Sequence, residues 1–282
     1  MIDSSLEYSE PLDMLKIFFH SDFPITDKIT IHKPLMGEII DYPDGESAFL
    51  FVVYVFVGNT THFKVQLWDN GIDWNEITDF EMFCDMVTFL SKTQTEILFK
   101  DIDFTLFQKV QRVKDNELVE LLLYDPINDI EITELTYFRM RYYLRHIFNI
   151  FPDIEVGIKK KRVKEEIINY DRKKSAKNAE SSVGSYYLPL ISACLNYSGF
   201  KYNSEQIKHI SIVEFLDSVQ RIPINERSSA TLHGMMSGFV DGTKISPEMF
   251  DFFKDIYSGK RSMTKQEKAD LVNKESLHDE NK

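Results

Sequence analysis

AFLFVVYVFV, residues 48–57, is the longest apolar run in the chain, and its conformation decides what the rest can build around it. The run does not alternate, so it reads equally as a buried strand or as a helix buried on every side, and its length alone does not choose between them. A membrane-crossing helix needs about 20 such residues. The run is therefore a core segment, and no membrane association is expected.

The segments downstream are easier to read. Thr78 is followed three residues later by Glu81, a capping box. Phe80, Phe83, Met86, Val87 and Leu90 then recur at helical spacing, which predicts an amphipathic helix over 79–91. Residues 10–19, with Leu12, Leu15, Ile17, Phe18 and Phe19, suit a short helix. Over 97–132 the period changes to two. Phe104, Leu106, Gln108 and Val110 form one face, and Val119, Leu121 and Leu123 form another, with a turn at Asp115-Asn116. This predicts an antiparallel hairpin, extended by 129–133 into a meander. Residues 134–150 return to helix with apolar residues on nearly every side, so Arg139, Arg141 and Arg145 need carboxylates or a path to water.

The C-terminal part reads as helix throughout. Ser211 and Glu214 make a second capping box, and Ile212, Phe215, Leu216, Val219 and Ile222 form the cleanest stripe in the chain. Ser246-Pro247 is a helix start, with Met249, Phe250, Phe253, Ile256 and Tyr257 as its apolar side. Helices flanking Ala230 to Gly238 would make a small bundle. The fold class is thus α+β, mainly α: an N-terminal mixed domain with a small antiparallel hairpin or meander, then a C-terminal helical bundle.

Charge divides the chain in the same places. Its 282 residues carry a net charge of -12, but residues 1–157 balance to -16, residues 158–177 to +6 and residues 178–282 to -2. The expected organisation is a mixed domain over 1–157, a basic helical linker acting as a hinge over 158–184, a helical domain over 185–257 and a polar, disordered tail over 258–282. The composition, 43% hydrophobic and 28% charged, excludes a wholly disordered chain, a collagen-like fibre and a disulfide scaffold. Cys84 and Cys194 lie far apart and read as small buried apolar residues.

Chemistry-bearing motifs are scarce. There is no GxSxG elbow, Walker loop or strand-borne GxGxxG. No two of the seven histidines are spaced to share a metal on one helix. The acidic stretch 69–81, DNGIDWNEITDFE, fails the calcium-loop pattern: with Gly71 sixth, Gln66 stands first and Ile77 twelfth. It reads instead as a turn at Asn70-Gly71 leading to the Thr78 cap. No catalytic residue, cofactor or metal is expected. A paired-carboxylate enzyme assembled from distant residues has no specific signal in its favour. The candidate binding residues are Trp68 and Trp74, which flank the acidic turn, and Lys159, Lys160, Lys161, Arg162 and Lys164 in the basic stretch. Clustered cations suit phosphate, but the acidic remainder of the chain would repel a polyanion and favours a solvated linker helix or a contact with an acidic protein partner.

Three stretches carry a resemblance: TIHKPLMGEIIDY (30–42), FKVQLWDNGIDWNEITDFEMF (63–83), and ISIVEFLDSVQRI with LHGMMSGFVDGTKIS over 210–246. Together they resemble a family of tailed-bacteriophage proteins from Gram-positive hosts, encoded among virion morphogenesis genes. The resemblance implies a structural or assembly protein of the tail or baseplate region. It would act by contacts with other phage structural proteins and without catalysis, in the host cytoplasm during assembly or in the virion. The alternative is a nucleic-acid-associated phage factor that binds through 159–177.

Overall fold

The computed structural model describes residues 13–114, 118–155, 158, 160–181, 184–239 and 241–257. In chain order the elements are α1 (Met14–Phe19), β1 (Asp22–Pro24), β2 (Thr30–His32), α2 (Met36–Ile40), α3 (Glu46–Val57), α4 (Lys64–Asp69), α5 (Asp79–Val87) and α6 (Lys92–Phe99). A one-turn 3-10 helix (Phe104–Leu106) leads into β3 (Gln108–Lys114), β4 (Leu118–Asp125) and β5 (Ile130–Thr133). Then come α7 (Glu134–Phe148), α8 (Lys161–Ser181), α9 (Tyr187–Leu195), α10 (Ser204–Ile207) and α11 (Ile212–Met236), with two 3-10 turns at Gly242–Lys244 and Pro247–Phe250. Helix far outweighs strand, and the class is α+β, mainly α.

The apolar run is a helix. In α3, Phe49, Val52, Val53, Val55, Phe56 and Val57 are buried, and α2, α5, α6 and α7 pack around it. A helix satisfies its own backbone while its side chains enter the core on several sides. A central strand in that place would need a strand on each edge. Phe56 sits at the centre of a ring cluster, 4.7 Å from Phe99, 5.3 Å from Phe104 and 5.6 Å from Phe83 by centroid. Such tilted and edge-on pairs add about 0.5–1.5 kcal/mol each beyond area burial.

Two small antiparallel sheets flank this centre. In one, β1 pairs with β2, Phe23 opposite Ile31. In the other, β4 lies between β3 and β5, with Leu123 opposite both Lys109 and Ile132. The Asp115-Asn116 turn lies outside the described residues. The expected strand start at Phe104 is corrected: 104–106 is a 3-10 turn capped by Asp103, and pairing begins at Gln108. The expected inner face holds only near the body. Leu123 is buried, Leu121 half-buried and Val119 exposed, while Leu122 on the opposite face is buried as well. Where β4 meets α5 the strand is covered, whereas Val113 of β3 and Val119 of β4, toward the far end of the hairpin, are exposed.

Both capping boxes form. Thr78 Oγ1 accepts from Glu81 N at 3.1 Å, and Ser211 Oγ from Glu214 N at 3.3 Å. Two expected boundaries move. α1 begins at Met14, behind the Asp13 cap, α5 stops at Val87, and Thr88–Leu90 form a turn. The helix expected after Ser246-Pro247 is a single 3-10 turn, with Phe253 almost wholly exposed. Instead of two helices around 230–238, α11 continues through Pro223 to Met236. The 258–282 tail lies outside the described residues.

The core does not divide at the basic stretch. Tyr187, Cys194, Ile207, Ile210, Ile212, Val213 and Phe215 join the same cluster as α3, α5 and α7. Backbone bonds reinforce the junction: Met36 N donates to Ile210 O, Gly37 N to Lys208 O (both 2.9 Å) and Ile212 N to Pro34 O (3.0 Å). At the start of α3, the Glu46 carboxylate accepts from Ser185 Oγ and from the N–H groups of Tyr186 and Tyr187.

The three arginines of α7 find three different partners. Arg139 donates to Ile25 O (2.9 Å), Arg145 Nε to Val57 O at the end of α3 (2.8 Å), and Arg141 to Asp79 Oδ2 (2.7 Å). Arg141 also lies over the rings of Phe138 and Tyr137, 4.7 and 5.2 Å from their centroids. Asp79 Oδ1 accepts from Thr60 N as well, which locks α5 to both the end of α3 and α7.

Two stability measurements follow. A Cβ on Gly37 would come 2.9 Å from Lys208 O, a backbone atom. Gly37→Ala is therefore expected to lower unfolding free energy by about 1–3 kcal/mol, seen as a lower urea midpoint at unchanged slope. Asp79→Ala leaves Arg141 buried without this carboxylate and should cost about 3–5 kcal/mol. A midpoint within error of the parent protein for either variant would contradict the packing described.

Candidate functional site

Three of the sequence candidates, Trp68, Trp74 and Lys164, meet on the face where α8 lies along α4 and the acidic turn. Local sequence sets the turn: α4 ends at Asn70, Gly71 takes φ +75°, and Asp73 Oδ1 caps the next bend by accepting from Asn75 N at 3.0 Å. Phe63, Leu67, Trp74 and Met82 then form a second small core, and Ile168 of α8 completes it. Trp68 and Trp74 meet edge to face at 5.8 Å.

Ion pairs frame this contact. Lys164 pairs with Asp73 and lies 5.7 Å above the Trp74 ring. Lys64 Nζ reaches both Glu155 Oε1 (2.5 Å) and Asp171 Oδ2 (2.7 Å). Arg172 pairs with Asp69 at the surface. Residues 153 and 155 are tied to the loop after α3: Asn59 Nδ2 donates to Asp153 O (3.0 Å), and Glu155 N to Thr61 Oγ1 (3.1 Å). Burial pushes the Asp73 carboxyl up, but bonds from Lys164 and Asn75 outweigh it and leave the group below its ordinary range. Burial pulls the Lys64 ammonium down, but hydrogen bonds to Asp171 and Glu155 reverse this and leave it raised.

The arrangement sorts the candidate residues. Trp74 and Lys164 are buried, and Trp68 is half-buried against them. These three therefore hold α8 to the body, and Trp74 offers no outer surface. Lys160, Lys161 and Arg162 are exposed, and Lys159 lies outside the described residues. Sequence reading missed Lys64, Asp171 and Ile168. The signal for Asp171 was present: Lys164, Ile168 and Asp171 recur at i, i+4 and i+7, a single helix face. Expecting a linker hid it.

Elsewhere, an open cleft of ≈ 950 Å³ is lined by Glu38, Tyr42, Lys92, Glu96, Lys100 and Asp101. Burial pushes the Tyr42 hydroxyl up to about 12, and it donates to Gln94 O. At its margin His32 lies between Asp22 (2.9 Å) and Glu38 (3.6 Å), and Asp22 also binds Lys100. Among the described residues no three His, Cys, Asp or Glu side chains are grouped to hold a metal ion. Cys84 and Cys194 are buried, and burial lifts the Cys84 thiol to about 12, far from a nucleophile at neutral pH.

The fold and site thus define an α+β chain that clamps its own basic helix against an acidic, tryptophan-bearing ledge. No family model, curated protein or solved structure matches the chain. Among the described residues no helix is long and apolar enough to cross a membrane.

The clamp has a pH window. Asp73 has a lowered folded value, so its stabilisation is complete above the ordinary carboxylate pKa of about 4 and is lost as pH falls through the lowered value. Lys64 has a raised folded value, so its share is complete below its ordinary pKa of about 10.4 and is lost as pH rises through the raised value. Tryptophan emission, which reports on Trp74 beneath Lys164, should stay constant between these limits and shift to the red in acid. In Lys164→Met the acid shift attributable to Asp73 should disappear. An identical acid limb in that variant would count against the assignment.

Proposed function

We propose that this chain is a structural or assembly protein of the tail or baseplate region of a tailed bacteriophage. It acts by contact with other phage structural proteins, in the host cytoplasm during assembly or within the virion, and performs no catalysis. One observation carries this reading: phenylalanines on separate elements are given to water. Phe19 is 75% exposed, Phe89 84%, Phe239 90% and Phe253 92%. Leaving such a ring in solvent forgoes about 1.5–3 kcal/mol of burial. Aromatic residues are enriched where interfaces form. These four lie on α1, after α5, after α11 and near residue 257, which suits a subunit with more than one neighbour.

The phage resemblance supports the same reading through the residues it covers. Its first and third stretches meet where Leu35 bridges Ser211, and its second stretch is the acidic ledge beneath α8. The alternative, a nucleic-acid-associated phage factor, draws on the exposed Lys160, Lys161 and Arg162. It would show binding that weakens steeply with salt.

Deletion of the coding sequence from the phage tests the role. Loss of plaque titre with tailless or malformed particles in electron micrographs is the expected result. Mass spectrometry of intact particles then separates a stoichiometric virion part from an assembly factor that leaves. A deletion phage with normal titre and normal tails would refute the proposal.

A further inference from the structure

The inner side of α8 is occupied, and its outer side faces water. Lys164, Ile168 and Asp171 bind the ledge, whereas every residue from Arg172 to Asn178 is exposed. Over 172–178 the charged residues are Arg172, Lys173, Lys174 and Lys177, and the next acid along the helix is Glu180. Arg172 already binds Asp69. Tyr170, 67% exposed, precedes them on the same outer side. Uncovered cations on a rigid helix present a fixed array to an acidic surface, and such arrays steer encounter and set register. The helix itself shows what they fit, because Lys164 and Arg172 pair with carboxylates of the acidic part of this chain.

We propose that the outer face of α8 docks on the acidic part, residues 1–157, of a second copy of this chain. The charges are complementary, +6 over 158–177 against -16 over 1–157. The patch on one copy differs from the patch it meets on the next, so the contact is either reciprocated across a two-fold dimer or propagated head to tail into a ring or a filament. This inference stands apart from the phage role, since copies would associate in this way whatever the chain is used for.

Sedimentation velocity of the full chain tests it at about 50 mM and about 500 mM salt, conditions that lengthen and shorten the reach of charges. The expected result is concentration-dependent association at low salt and a 33.1 kDa species at high salt. The double variant Lys173→Glu with Lys174→Glu should weaken self-association at least about tenfold. Its circular dichroism and thermal midpoint should match the parent, because both side chains are exposed. Mixed in excess with the parent protein, the variant should still accept one parent copy on its intact acidic part, giving a capped pair. Parent protein that stays monomeric at low salt, or a variant that associates as the parent does, would overturn the proposal. So would the reverse pattern, in which the parent binds a DNA duplex at low salt, the variant does not, and neither self-associates.

Discussion

The central constraint is the need to enclose ten consecutive apolar residues. As a helix, α3 pairs its own backbone groups and leaves its side chains to find partners in nearly every direction. The elements around it can be read as its enclosure: α5 and α6 supply aromatic rings, α7 supplies a long apolar flank, and the C-terminal helices close the remaining gap. Because the last wall comes from beyond residue 185, the chain cannot finish its core until its C-terminal part has arrived. The junction at Pro34–Gly37 and Lys208–Ile212 is therefore a condition for the central helix and not a loose contact between independent halves.

Burying that helix has an electrostatic consequence. α7 packs against α3 along most of its length, and its arginines are drawn inward with it. Each is accommodated by a different acceptor: a loop carbonyl for Arg139, the last carbonyl of α3 for Arg145, and the Asp79 carboxylate for Arg141. Arg145 in particular satisfies a helix end that would otherwise close in an apolar setting. The polar groups of the interior thus finish secondary structure.

The periphery follows a different rule. There the acidic surplus of the N-terminal part is partly neutralised by a basic helix laid across it. One isoleucine and a few ion pairs make this contact, so it is weaker than the core and more sensitive to pH and salt. Its outer side carries further cations, among them the exposed Lys173 and Lys174. A chain can balance charge internally and keep a charged face for another molecule when the two sides of one helix are assigned to different tasks.

Much of this was legible in the residues. The two capping boxes, the 79–87 helix, the hairpin and the stripe of α11 follow from local spacing and side-chain hydrogen bonding, which the sequence carries in full. Three things were not legible. The conformation of 48–57 depends on what surrounds it, since both a buried helix and a buried strand erase periodicity. The division suggested by the charge shift at 152–185 could not show that apolar residues on either side share one core, because composition is local and packing is not. The fate of Trp74 and Lys164 was hidden for the same reason: their burial is produced by α8 folding back some ninety residues along the chain. Sequence determined the elements and the charge of each segment. Tertiary structure alone decided which of those charges met inside and which were left to face another molecule, since only the folded chain brings distant carboxylates within hydrogen-bonding reach of a lysine.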